Sequence, residues 1–125
     1  KLYPYKTLLE EGILVAGASD SPVTSYAPLT GLRDAVLRKA LSGKIMGVEQ
    51  RVDIEQALRM YTNAAAYISF DENVRGSIET GKLADFTILS DNPMKVEPEE
   101  ITGIRVEMTM VGGRVTHRHP DSGLA

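Results

Sequence analysis

Hydrophobic and polar positions divide the chain into two unlike parts. Near the start, Tyr5, Leu8, Leu9 and Ile13 follow Pro4 at helical spacing, and proline suits a first helical turn. Gly12 is placed to end that helix in a left-handed cap. Residues 13–18 (Ile13-Leu14-Val15-Ala16-Gly17-Ala18) then run without a polar position. Such a run reads as a strand buried on both faces, the kind found in parallel sheets. Thr30 is a candidate N-cap for a second helix, with Leu32, Ala35, Val36, Lys39 and Ala40 on one side and Ser42-Gly43 at its end. Residues 43–52 read as a mostly polar loop. Asp53-Ile54-Glu55-Gln56 opens a third helix as a capping box with Asp in the leading place, and Ile54, Ala57, Leu58 and Tyr61 form its inner face. Thr62 breaks that helix and starts another over Asn63–Phe70, whose three alanines point to close packing.

From residue 74 the pattern changes to short alternating runs. Gly76-Ser77-Ile78-Glu79 leads through a Thr80-Gly81 turn and Lys82-Leu83-Ala84-Asp85 into a strand, Phe86-Thr87-Ile88-Leu89. Asp91-Asn92-Pro93 marks a turn. Residues 101–111 read as a strand, joined through Gly112-Gly113 to Arg114-Val115-Thr116-His117 as a two-residue hairpin. His119-Pro120-Asp121-Ser122-Gly123 reads as a solvated tail. Residues 1–73 are therefore α/β with one strand, 74–118 a small all-β unit and 119–125 a tail. One strand with two apolar faces and three or four helices makes a poor independent fold, because both strand edges want neighbours. With no initiator Met before Lys1, the expectation is the end of a larger protein that self-associates when isolated.

Composition narrows the function classes. The chain has 125 residues, 42% hydrophobic and 25% charged, which is globular, and its net charge of -3 provides no footprint for nucleic acid or an anionic membrane. No apolar run approaches the ~20 residues needed to span a bilayer. There is no cysteine, hence no disulfide, thiolate metal site or thiol nucleophile. A reducing, cytoplasmic setting fits.

The candidate chemistry lies where the apolar run ends, in Ser19-Asp20-Ser21-Pro22-Val23. In barrels of parallel strands and helices, catalytic groups sit at the carboxyl ends of strands. The local pattern alone favours a turn or N-cap carboxylate for Asp20, and a single carboxylate cannot hold a catalytic metal, which takes about three protein ligands. Ser19 and Ser21 lack a nearby histidine base, which argues against a nucleophilic serine. Arg38 and Arg51 could bind a substrate carboxylate, but solvated charges are the plainer reading.

Three segments, in order and in spacing, carry a resemblance to a known family. They are Ala18-Ser19-Asp20-Ser21-Pro22-Val23, Ala57-Leu58-Arg59-Met60-Tyr61-Thr62-Asn63-Ala64-Ala65, and Gly76-Ser77-Ile78-Glu79-Thr80-Gly81-Lys82-Leu83-Ala84-Asp85. The hairpin Met108–Val115 extends the match over nearly the whole chain. The chain resembles the C-terminal end of the amidohydrolase superfamily, most closely the amidohydrolase-3 group of deacylase-like and formamide deformylase-like enzymes. The resemblance implies the last strand and helices of a (β/α)8 metal-dependent hydrolase barrel, followed by part of a small β-sandwich. It implies a divalent metal, zinc foremost, in the intact enzyme and none in this fragment, and a small-molecule amide as substrate. Asp20 then matches the aspartate after the eighth barrel strand, which touches the metal and takes a proton from its water as that water attacks a carbonyl. Substrate contacts are not assigned, although residues 21–26 could border the pocket. The family's other ligands belong to earlier barrel segments that these residues do not include.

His117-Arg118-His119 copies the spacing of a metal pair, but it follows the last hairpin strand, whereas the family's pair opens the barrel. Lys82 and Asp85 read as structural: Gly81 provides a positive-φ turn and Asp85 accepts backbone N–H groups. Two function classes follow. The first is the C-terminal portion of a metal-dependent hydrolase that cleaves a C–N amide bond of an N-acyl or N-formyl compound, with cyclic-amide or deaminase chemistry as a variant. The second is a non-catalytic regulatory or interaction module derived from that fold. The isolated 125-residue chain is expected to show no amide hydrolysis with or without added zinc. Turnover by the purified chain would require a site other than Asp20. Light scattering is expected to show concentration-dependent association, and a monomer at all concentrations would contradict it.

Overall fold

A computed structural model describes residues 2–40 and 42–124. Its elements are α1 (Tyr5–Glu10), α2 (Pro28–Leu37), α3 (Ile54–Tyr61), α4 (Asn63–Ile68), β1 (Phe86–Leu89), β2 (Val106–Val111) and β3 (Arg114–Arg118), with 3-10 turns at Val48–Gln50 and Pro98–Gly103.

Helix α1 ends as its sequence dictates. Gly12 takes φ +74, its N–H donates to the Leu9 carbonyl at 3.1 Å, and the Ile13 N–H reaches the Leu8 carbonyl at 2.9 Å. This pair of bonds is a Schellman ending. The start of α1 is satisfied from far away. Gln50 is 3% exposed, its Oε1 accepts the Thr7 N–H at 3.1 Å, and its Nε2 donates to Thr7 Oγ1 at 2.9 Å. Residues 43–52 are therefore not simply a polar loop, since Val52 is buried as well.

The run 13–18 departs from expectation. It forms neither helix nor strand and pairs with no strand among the described residues, and Ile13 and Leu14 are 51% and 48% exposed. Its backbone is tied to the helical half by the Gly17 N–H, which donates to the Met60 carbonyl at 2.9 Å. A strand of this kind is buried only when other strands flank it. No local interaction provides such flanks.

Helix α2 starts at Pro28 with Ala27 as N-cap, three residues before the anticipated cap Thr30, because proline's fixed φ and missing N–H suit the first helical position. It ends at Leu37, where Arg38 turns left-handed at φ +57, ahead of the anticipated stop at Ser42-Gly43. The capping box of α3 forms as read: Gln56 N–H donates to Asp53 Oδ1 at 2.7 Å and Asp53 N–H to Gln56 Oε1 at 3.0 Å. Thr62, at φ -125 and ψ -92, separates α3 from α4.

Leu32 and Ala35 of α2, Val52, Ala57 and Met60 of α3, and Ile101 form the buried core, flanked by Tyr5, Leu9, Val15 and Tyr61. The anticipated strand over 101–111 is shorter, because Pro98–Gly103 winds into a 3-10 turn that delivers Ile101 to this core. The sheet has order β1-β2-β3, all antiparallel, with Phe86 opposite Met110 and Thr109 opposite His117. Gly112 and Gly113 both take positive φ, +55 and +79, as a type I′ turn requires.

Replacing Asp53 by Ala removes a side-chain acceptor for the first turn of α3. It is expected to lower unfolding stability by about 1 kcal/mol, with Asp53→Asn retaining most of it. Urea denaturation checks this, and equal stability of the Ala and parent proteins would show that the box contributes nothing.

Candidate functional site

Asp20 lies two residues beyond the apolar run, in a backbone conformation that few non-glycine residues adopt, φ +53. Its carbonyl accepts the Val23 N–H at 2.8 Å, which closes a turn containing a cis Ser21–Pro22 bond. Thr24 Oγ1 donates to the Ser19 carbonyl, and Ser19 Oγ accepts the Ser21 N–H at 3.3 Å. The serines and threonine thus build the turn, and none has a histidine beside it. The Asp20 side chain is exposed and forms no ion pair among the described residues.

Asp20 is among the residues lining a groove of about 700 Å³. Ala16, Ala18 and Ser19 from the segment before it, Thr30, Gly31 and Asp34 from α2, and the tyrosines Tyr5 and Tyr61 line the same groove. Burial pushes both tyrosine hydroxyls above their ordinary pKa, with nearby charges secondary, so they remain neutral donors at physiological pH. Small and apolar residues of the groove's lining alternate with hydroxyls and charges: the carboxylates Asp20 and Asp34 line it together with Arg38 and Lys39. Gly31 was its legible signal in sequence: a glycine inside a helix costs about 1 kcal/mol relative to Ala, so it marks a close approach.

Arg38 was read as a solvated charge and is instead 8% exposed. Its guanidinium lies 5.2 Å from the centre of the Tyr5 ring, donating from Nη2 to the Leu2 carbonyl at 2.6 Å and from Nε to the Met46 carbonyl at 3.3 Å. It ties three segments together. Arg51 is exposed and donates from Nε to the Leu37 carbonyl at 3.2 Å, serving the open end of α2.

The second half uses its charged residues for structure. Asp85 Oδ1 accepts the Gly112 N–H at 2.7 Å and fixes the hairpin tip, while Arg75 lies 3.6 Å from its other oxygen. Lys82 Nζ donates to Ser77 Oγ at 2.6 Å and stands 3.3 Å from Glu79, with Gly81 at φ +95 between them. The Ser77 hydroxyl, and after it Lys82, hold the Glu79 carboxyl below the usual range. His117 projects from β3, and His119 Nδ1 accepts the Asp121 N–H at 3.2 Å. Neither histidine lines the groove.

Among the described residues, no group of three or more His, Cys, Asp or Glu side chains could hold a metal ion. One exposed carboxylate does not meet the requirement of a catalytic metal, so the residues present do not by themselves fit such a group. No helix of the described residues is long and apolar enough to cross a membrane.

Comparison with known proteins gives this geometry a family. The amidohydrolase family model matches residues 1–117. YtcJ of Bacillus subtilis strain 168, named an amidohydrolase, is 34% identical over 118 residues, covering 92% of this chain and 22% of its own. The N-substituted formamide deformylase of Arthrobacter pascens is 33% identical over 122 residues, covering 98% of this chain and 22% of its own. Among solved structures, an uncharacterized metal-dependent hydrolase of Pyrococcus horikoshii aligns with TM-score 0.68 and 28% identity, over 78% of this chain and 20% of that one. The chain thus spans about a fifth of the length of the curated relatives it matches. With a family match over nearly its whole length and two relatives above 30% identity, the chain belongs to the amidohydrolase family.

Proposed function

We propose that this chain is the C-terminal portion of a metal-dependent amidohydrolase that hydrolyses the C–N amide bond of an N-acyl or N-formyl compound. In this reading residues 1–73 end a (β/α)8 barrel, residues 74–118 contribute to a small β-sandwich, and the site is completed by barrel segments outside these 125 residues. A divalent ion, zinc foremost, belongs to the whole enzyme and supplies an activated water when bound. Self-association of the isolated chain and a cytoplasmic setting belong to the same reading.

One observation carries the proposal: an ionisable carboxylate, Asp20, ends an apolar segment in the lining of a groove, in a chain of the amidohydrolase family. The left-handed turn holds the Asp20 backbone while leaving its carboxylate free of any ion pair among the described residues. A carboxylate so placed can accept a proton from an attacking water and return it to a leaving amine. The exposed Ile13 and Leu14 support the barrel reading, since an apolar strand of this kind calls for strands along its edges and packed layers over both faces. The name of the Arthrobacter relative supports a formamide-type substrate.

The test uses the full-length protein that contains this segment, assayed on an N-substituted formamide and an N-acyl amino acid. Asp20→Asn keeps the shape of the turn and removes the proton acceptor. It is expected to lower kcat at least ~10²-fold without lowering the melting temperature. Activity within a few fold of the parent would remove Asp20 from the chemistry.

A further inference from the structure

The segment that leads to Asp20 is held by an aromatic wedge. Tyr61, the last residue of α3, lies against two glycines, Gly17 on that segment and Gly31 within α2. A Cβ on Gly17 would stand 2.3 Å from Tyr61 Cε2, and one on Gly31 would stand 1.9 Å from the Tyr61 hydroxyl oxygen. Real Cβ atoms do not come so close, so the ring occupies a slot that exists because both positions lack side chains. The neighbouring backbone reinforces it, since the Gly17 N–H donates to the carbonyl of Met60 at 2.9 Å.

Only Ala18 and Ser19 separate this clamp from Asp20. Three residue steps of extended chain reach about 10 Å at most. On the far side, the Val23 N–H closes its turn onto the Asp20 carbonyl at 2.8 Å. Asp20 is thus fixed between a wedge and a turn, with little slack in either.

We propose that Tyr61 is a positioning residue for Asp20, its ring setting the height and tilt at which the segment delivers the carboxylate to the groove. The inference rests on the reading of Asp20 as the proton acceptor. The wedge acts through shape, so the ring is required and the hydroxyl is not. A catalytic group displaced by about 1 Å can lose ~10²-fold in rate, which sets the size of effect to look for.

The experiment compares Tyr61→Leu, Tyr61→Phe and Gly17→Ala in the full-length protein, with Ile101→Val as a core variant that touches neither glycine. Tyr61→Leu is expected to lower kcat by roughly 30- to 100-fold with KM within about threefold, and Tyr61→Phe to restore kcat to within about threefold of the parent. Gly17→Ala, which crowds the same contact from the other side, is expected to lower kcat by a similar factor and keeps the test open should Tyr61→Leu fail to fold. Amide hydrogen exchange supplies a readout apart from activity. Gly17 is expected to exchange at least ~10-fold faster in Tyr61→Leu and unchanged in Tyr61→Phe, as loss of local protection requires. The proposal is overturned if Tyr61→Leu and Gly17→Ala leave kcat within threefold, or if Ile101→Val lowers kcat as much as they do. Asp20→Asn separates the two readings. If it is inactive while the Tyr61 and Gly17 variants are active, the positioning role alone fails; if it is active, both fall.

Discussion

Ile101 is the side chain on which the two halves of the chain meet. It is almost fully buried against Leu32, Ala35, Val52, Ala57 and Met60, although it comes from a 3-10 turn between two strands of the sheet. Burying an isoleucine is worth about 1.5–3 kcal/mol, and here that gain is available only if the β-sheet half docks on α2 and α3. Two of these partners are alanines, Ala35 of α2 and Ala57 of α3, and Tyr61 at the end of α3 packs against both this core and Gly17.

That arrangement explains why the groove has its particular chemistry. The groove is aromatic where Tyr5 and Tyr61 border the core, and polar where the apolar segment runs out into a turn of Ser19, Asp20, Ser21 and Thr24. Several other charged side chains serve the fold. Arg38 is spent on backbone carbonyls of distant segments, Lys82 on Ser77 and Glu79, and Asp85 on the hairpin tip.

What could be read directly from the sequence was whatever is decided among near neighbours. The Asp53–Gln56 box, the Gly12 ending, the Thr62 break and the Gly112-Gly113 turn all depend on residues a few positions apart or on a local φ preference. The features that sequence reading missed depend on distant partners. Gln50 looks like any loop amide until Thr7 is placed beside it, and Arg38 looks solvated until Leu2 and Met46 supply acceptors. The run at residues 13–18 has the composition of a buried strand, but a ladder needs flanking strands that no neighbouring residue can provide. The proposed role of Asp20 rests on family resemblance, because a lone carboxylate has the same local pattern whether it caps a turn or serves a reaction.

The Gln50–Thr7 pair has a consequence for how the molecule opens. Helix α1 has six residues, no buried side chain and no side-chain cap of its own. A helix that short is not self-sustaining in water. It persists because Tyr5 and Leu9 pack against the core and an amide 43 residues away supplies both a donor and an acceptor to its first turn. The pair closes a long loop, and the entropy of that closure is recovered only while helix and loop are both in place. Neither segment can fray alone without stranding polar groups in the other. The N-terminal helix and the Val48–Gln50 turn therefore behave as one clasp, shut or released together, although the whole of α2 lies between them in sequence.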